Sequence, residues 1–371
     1  MDFEHTDDRR MLADSLGRFL REKYPIERRH AAAASDAGFD REIWQGLAEM
    51  GVIGALIGEE AGGFGGRGFD IAVVFEEVGR ALAVEPLLAT GVLGAGLVAE
   101  LGSEAQRARL EEVIAGERLL AAALGEPEGR YDAAHVTTRA EGGRLTGAKA
   151  VVLNADSADA LVVSARVSGE AADEDGISLY LVDPKGEGVR LRAAPSVDGG
   201  RVADVFLENA PGELLGPEGG AFPAIERALA RANAALCAEA LGAMEAAKDL
   251  TLDYVRQRKQ FGRPIGGFQV IQHRLAEMLI EIEQARSAVI NAAGHLEDDR
   301  MTRERNVAAA KNLIGRAGKL VAEEAIQLHG GIGMTWEYAV GHYAKRIVMI
   351  DHLFGDADHH LARFIALSRA A

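Results

Sequence analysis

The chain has a single cysteine, Cys237, among 371 residues. One thiol cannot build an internal disulfide framework, and its Ala-rich neighbourhood reads as a small buried residue in a helix. No run of about 18 uncharged apolar residues occurs, so no membrane-spanning helix is expected. Positive charge is in deficit: 41 Lys and Arg against 57 Asp and Glu leave a formal charge of −16. Nucleic acid or an anionic membrane would be repelled by that average field, which argues against either as a standing partner and leaves room only for local basic patches. The opening Met1-Asp-Phe-Glu-His is acidic where a signal peptide would be basic and then apolar, so the expectation is a soluble, cytoplasmic protein. The length suits two or three domains with a buried core.

What is present is helical periodicity at both ends. Phe3, Leu12, Leu16, Phe19 and Leu20 recur at helical spacing around Thr6, a capping hydroxyl followed by Asp7 and Asp8. A second helix is expected from about Asp40 to Met50, with Ile43, Trp44 and Leu47 inward and Gly51 ending it. A third spans Asp70 to Leu82, and the pattern stays helical from Pro86 to Ala115. The intervening Gly62–Gly68 stretch lacks a preceding strand and a following Gly-Lys-Ser/Thr, which removes a nucleotide-loop reading. Between about Leu119 and Glu208 the period changes. Val136–Ala140, Leu161–Ala165, Ile177–Val182 and Val202–Leu207 read as strands, separated by turns at Gly142-Gly143, Gly147 and Pro184–Gly186. The charged Gly169–Asp175 stretch reads as a solvated hairpin loop. From Ala221 onward four long helical segments suggest a bundle. The resulting expectation is a mostly α fold with a β-domain: an all-α domain over 1–116, an antiparallel β-domain over 117–212 and a four-helix bundle over 213–371.

Two motifs carry the chemistry. Arg258-Lys-Gln-Phe261-Gly262 runs on to Gln269, and Gln327-Leu-His-Gly330-Gly331 follows in the same order and at a matching interval. Together they resemble the FAD-binding bundle of the acyl-CoA dehydrogenase family, and the likeness covers essentially the whole chain. The resemblance implies FAD as cofactor, an acyl-CoA substrate and an electron-transfer flavoprotein as electron acceptor. It implies that Arg258 meets the pyrophosphate as a forked donor. Phe261 would pack on the adenosine or ring system and Gln269 would bond near it. Gln327, with the backbone of Gly330 and Gly331, would hold the adenosine end, where a Cβ would obstruct close approach. Gly62–Gly68 resembles the family's connector before its third long helix.

The reaction implied removes a proton beside a thioester carbonyl and a hydride from the next carbon, which calls for a base and for hydrogen bonds to the carbonyl oxygen. Here the chain departs from the family pattern. Gly355 stands where many members carry a Glu, and Asp356 one residue later is the candidate base. The family's alternative base position falls on Ala232, beside Asn233 where an Arg is usual. In the middle domain, Gly125–Asp132 lacks the usual Gly/Ser run, and Val151 and Leu153 replace a Trp and a Thr that line the flavin.

His359 and His360 are adjacent on a helix and point apart, so neither they nor His352 form a metal site; exposed structural roles are expected. His329, beside the Gly-Gly turn, is a candidate cofactor contact. Two functions are compatible with these residues. One is an FAD-dependent acyl-CoA dehydrogenase with Asp356 as base, acting in fatty acid or steroid side-chain degradation. The other is a non-catalytic subunit that keeps Arg258, Phe261 and the Gln327 turn to complete a homologous partner's FAD site. A homo-oligomer or a heterotetramer is implied in either case, because the motifs reach a flavin seated in a neighbour.

Overall fold

In the computed structural model, which describes residues 5–370, helices come first. They are α1 (Asp7–Lys23), α2 (Ile26–Ala34), α3 (Arg41–Glu49) and α4 (Gly68–Ala81), then a π-helical segment Leu87–Gly94, α5 (Ala95–Leu101), α6 (Glu104–Ala108) and α7 (Leu110–Ile114). Strands follow as β1 (Leu120–Ala123), β2 (Arg139–Glu141), β3 (Arg144–Leu153), β4 (Ala160–Arg166), β5 (Ile177–Val182), β6 (Val189–Pro195), β7 (Arg201–Pro211) and β8 (Glu213–Leu215). The rest is helical: α8 (Phe222–Gln257), a hairpin of β9 (Lys259–Gln260) and β10 (Arg263–Pro264), α9 (Gln269–Gly294), α10 (Arg300–His329), α11 (Val340–His352) and α12 (Ala357–Ala370). The expected succession of helical, sheet and helical regions is what the chain forms. No described helix is long and apolar enough to cross a membrane.

Two compact units arise from this chain, one formed by the segment up to Ile26, Arg67–Ala83 and Asn233 onward, the other by Glu27–Gly66 and Val84–Ala232. The helix starts follow their caps. Thr6 accepts from the Arg9 amide at 3.3 Å, with Leu16 and Leu20 buried beneath α1; Phe3 lies outside the described residues. Asp40 accepts from the Glu42 and Ile43 amides at 2.9 and 3.2 Å, which aims Ile43, Trp44 and Leu47 into the core. Helix α2 was not expected from the periodicity. In the glycine-rich connector, a Cβ on Gly63 or Gly65 would sit 2.1 or 2.3 Å from the carbonyl oxygen of Ile57 or Ala55, so backbone packing within the loop accounts for those glycines.

The sheet has the order β6-β7-β3-β2-β4-β5-β8, with β1 also on β4. Its pairings are antiparallel except that β1 and β2 both run parallel to β4, end to end along one edge. Gly142-Gly143, both at positive φ, close the two-residue β2–β3 hairpin, as the mirror-image turn geometry requires. Gly147 is not a turn. It lies inside β3 at a register shift, where a Cβ would approach the Thr138 Cα to 2.7 Å. Val136–Thr138 is likewise not strand, because the Thr137 and Thr138 amides donate to the Glu126 carboxylate at 2.7 and 3.0 Å. The Gly169–Asp175 loop joins β4 to β5 as expected, and buried Arg166 beneath it donates to the carbonyls of Ser168, Ala171, Asp173 and Asp175 at 2.8–3.2 Å.

In the bundle, α4 packs closely on α8, since a Cβ on Gly79 or Gly242 would strike the opposing helix backbone at 1.9 Å. The fourth long segment is divided: α11 stops at His352 and α12 begins at Ala357, with Phe354 and Gly355 at positive φ between them. Cys237 is fully buried in α8, and burial pushes its thiol up to about 12, which fits a packing role.

Candidate functional site

The α8–α9 connection presents the first motif. Lys259–Gln260 pairs with Arg263–Pro264, leaving Phe261 and Gly262 as a two-residue turn, both at positive φ (54° and 79°). A phenylalanine in the left-handed region costs on the order of 1–3 kcal/mol, and this one is 91% exposed. The chain therefore holds a large apolar ring out in solvent in a strained conformation. Arg258 beside it is exposed, and its guanidinium has no hydrogen-bond or ion-pair partner among the described residues. Gln269, the first residue of α9, is exposed as well.

The second motif is brought to the same end of the bundle. Tyr254, whose carbonyl accepts from the Arg258 amide at 2.8 Å, stacks on His329 with ring centroids 4.6 Å apart. Arg274 near the start of α9 pairs with Glu324 near the end of α10 at 3.1 Å. Gln327, Gly330 and Gly331 are exposed at that end. Gly330, at φ 66° and ψ −145°, needs glycine for its conformation. Gly331 does not: a Cβ on it would meet nothing within 4 Å. Its small size thus serves no packing within this chain and leaves a surface on which a flat group can lie against backbone. Together, an unpaired guanidinium, an outward ring, two amides and a bare glycine turn could hold a group that joins a diphosphate to a flat aromatic ring. His329 is buried between Tyr254 and Tyr338, with Nδ1 2.7 Å from the Ala325 carbonyl oxygen. It supports the turn from behind.

The α11–α12 loop places the candidate base. Asp356 is the N-cap of α12: Oδ1 accepts from the His359 amide at 2.8 Å, and Oδ2 has no hydrogen-bond partner among the described residues. Carbonyls in this loop turn inward. Buried Lys311 on α10 donates to those of Asp351, Leu353 and Gly355 at 3.0, 2.9 and 2.7 Å, and His360 Nε2 lies 3.1 Å from that of Phe354. The amides of Phe354, Gly355 and Asp356 find no acceptor among the described residues. His360 corrects the expectation of an exposed residue: it is 3% exposed, and burial with the nearby Lys311 charge pushes it down to about 3, so the imidazole is neutral. Ala232 and Asn233 are both buried on α8.

Sequence reasoning passed over Lys311, Tyr254 and the buried pair of Glu126 and Lys149. A lysine in an otherwise Ala-rich run on α10 was the available signal for the first. In the β-domain, Lys149 Nζ lies 2.7 Å from Glu126 Oε1 and 2.8 Å from Ser164 Oγ, with both charged side chains out of solvent. Val151, in the position of the family's Trp, sits at φ 55° beside the register shift between Lys149 and Val152 and is exposed.

Comparison with known proteins agrees with this architecture. The N-terminal, middle and C-terminal domain models of acyl-CoA dehydrogenases match residues 6–117, 121–210 and 219–366. The chain belongs to the acyl-CoA dehydrogenase family, whose named members are oxidoreductases. It is 32% identical over 344 residues to the acyl-CoA dehydrogenase IpdE2 of Mycobacterium tuberculosis, covering 92% of this chain and 91% of that one. Among solved structures it resembles a variant of the Tcur3481-Tcur3483 steroid ACAD, at TM-score 0.89, 32% identity and 98% coverage of both chains. It also resembles the ChsE4-ChsE5 complex from Mycobacterium tuberculosis, at TM-score 0.90, 27% identity and 100% coverage of both.

Proposed function

We propose that the chain is a cytoplasmic, FAD-dependent acyl-CoA dehydrogenase subunit that introduces an α,β double bond into a CoA thioester and passes electrons to an electron-transfer flavoprotein. The observation that carries this reading is the surface where unpaired Arg258, strained Phe261, Gln269, Gln327 and the Gly330-Gly331 turn meet at one end of the bundle. FAD, when bound, supplies the hydride acceptor. The protein's share is a base for the α-proton and donors for the thioester oxygen. Asp356 is the proposed base, with Oδ2 available for the proton, and the free amides of Phe354, Gly355 and Asp356 are the proposed donors. Replacing Arg258 by Ala tests the cofactor half. FAD affinity should fall by an amount equivalent to about 1.5–3 kcal/mol, the worth of a hydrogen-bonded charge pair, and unchanged affinity would remove the assignment.

A second reading, a non-catalytic subunit completing the FAD site of a homologous partner, is favoured by a separate observation. By the family resemblance Gly355 falls where many members carry the base and Val151 and Leu153 replace a Trp and a Thr, while Asp356 spends one oxygen on capping α12. Two similar solved structures are named as two-protein assemblies. Under this reading the isolated chain does not oxidise acyl-CoA, and activity appears only with the partner. Steroid-derived and fatty acyl thioesters are the substrate classes to assay.

A further inference from the structure

A cation buried without a carboxylate in direct contact needs another source of compensation, and Lys311 finds it chiefly in backbone. Its side chain is wholly out of solvent. Its three N–H bonds go to the carbonyls of Asp351, Leu353 and Gly355, at 3.0, 2.9 and 2.7 Å. An ammonium has three donors and no acceptor, so these bonds satisfy it fully. Asp351 lies in the last turn of α11, where the helix dipole also favours a positive charge. Neighbours on the same face of α10 complete the seat. Asn312 Nδ2 donates to the Ala357 carbonyl at 2.8 Å. Gly315 leaves room for Asp351, because a Cβ there would lie 2.1 Å from its Oδ1, which itself accepts from the Ala357 amide at 3.1 Å.

The consequence follows from the planar trans peptide, in which the carbonyl of one residue points opposite to the amide N–H of the next. Turning the carbonyls of Leu353 and Gly355 down onto Lys311, and that of Phe354 onto His360, turns the amides of Phe354, Gly355 and Asp356 the other way. Those are the three amides without an acceptor among the described residues. We infer that Lys311 is a positioning residue: by gathering the carbonyls of Leu353 and Gly355 it aims the amides of Phe354 and Asp356, and the Asp356 carboxylate after them, at the carbonyl end of the acyl substrate. This rests on the dehydrogenase reading. Lys311 does not touch substrate. The titratable groups facing it are Cys237 on α8, Asp351 on α11, Asp356 in the loop and His360 on α12.

The test compares wild-type protein with Lys311→Met and Lys311→Arg in the flavin-loaded assembly. Lys311→Met keeps most of the side chain and removes every donor, so exchange of the hydrogen-bonded amides that follow the loop, those of Ala357, His359 and His360, should accelerate about tenfold to a hundredfold, the loss expected for a charged hydrogen bond. Flavin reduction at saturating acyl-CoA should slow about a hundredfold, as for a lost oxyanion donor, with KM changed far less and FAD affinity unchanged. Lys311→Arg retains a cation with donors, and restores part of both losses. If Lys311→Met does not fold, Lys311→Arg alone decides, since its longer fork must redirect the carbonyls and lower kcat without loosening FAD. Exchange of the Ala357, His359 and His360 amides and kcat both equal to wild type in the folded variants would overturn the inference. A merely structural lysine would lower Tm and leave kcat per bound flavin intact. The dehydrogenase reading fails separately, through a wild-type flavin that no acyl-CoA reduces in any assembly, while the exchange experiment still reports on the latch.

Discussion

Removing one partner of the Glu126–Lys149 pair should destabilise the β-domain unit severely and unequally. Both side chains are out of solvent, and the carboxylate accepts from Lys149 Nζ, the Thr137 amide and hydroxyl, and the Thr138 amide. Lys149→Met leaves a buried carboxylate with three remaining donors, whereas Glu126→Met leaves the ammonium no counter-charge, with only Ser164 Oγ and the Leu124 carbonyl to accept from it, and strands those donors as well. Breaking a buried pair costs about 3–5 kcal/mol, so Lys149→Met belongs at the lower end and Glu126→Met at or beyond the upper. At roughly 2–4 °C per kcal/mol for a unit of this size, the thermal transition should drop by about 6–20 °C. The double variant with Met at both sites should recover part of the loss, because no charge is left buried. Burial alone would raise the Glu126 carboxyl, but Lys149 and the two threonines override it and hold it down at about 2. The folded carboxyl therefore binds its proton less tightly than the unfolded one. The stabilisation is present above the unfolded value of about 4.5 and is lost as pH falls towards 2, amounting to on the order of 3 kcal/mol. Urea unfolding of the four proteins between pH 7 and pH 3 measures it. Equal losses for the two single variants, or a double variant as unstable as the sum, would refute the reasoning.

Asp356→Asn keeps an N-cap side chain and removes the proposed base, so the fold should hold while flavin reduction by acyl-CoA falls by several orders of magnitude. An unchanged rate in stopped-flow reduction would transfer the base to a partner chain. Val151→Asn should raise stability by about 1 kcal/mol by relieving a β-branched residue at positive φ, read from urea denaturation; a loss of stability would show that the Val151 side chain contributes packing of its own. Gel filtration should give a dimer or tetramer, homomeric or mixed, and a stable flavin-loaded monomer would argue against motifs that serve a neighbouring subunit.

Much of the fold was legible because its signals are local. Thr6 and Asp40 cap the helices they precede, Gly142-Gly143 closes a hairpin, and the strand Ile177–Val182 has the bounds its composition suggests. The motif around Arg258 was legible as well, since a strained, outward Phe261 belongs to a two-residue turn that the sequence spells out. Features set by distant partners were not. Val136–Thr138 has strand composition, yet Glu126 takes its amides. Gly147 looks like a turn residue and is instead a bulge pressed against Thr138. His360 was expected in solvent because adjacent histidines point apart, but the loop from Leu353 to Asp356 folds over it. Lys311 could not be read as a latch from its own helix, because the carbonyls it binds lie 40 to 44 positions further along the chain.

Flavin content is the most direct test of the central claim. The protein, purified alone and with any homologous partner encoded beside it, should carry FAD rather than FMN, identified by release and chromatography of the bound cofactor. Arg258→Ala should lower that content while leaving the fold intact by circular dichroism. FMN in place of FAD, or no flavin in any assembly, would contradict the account.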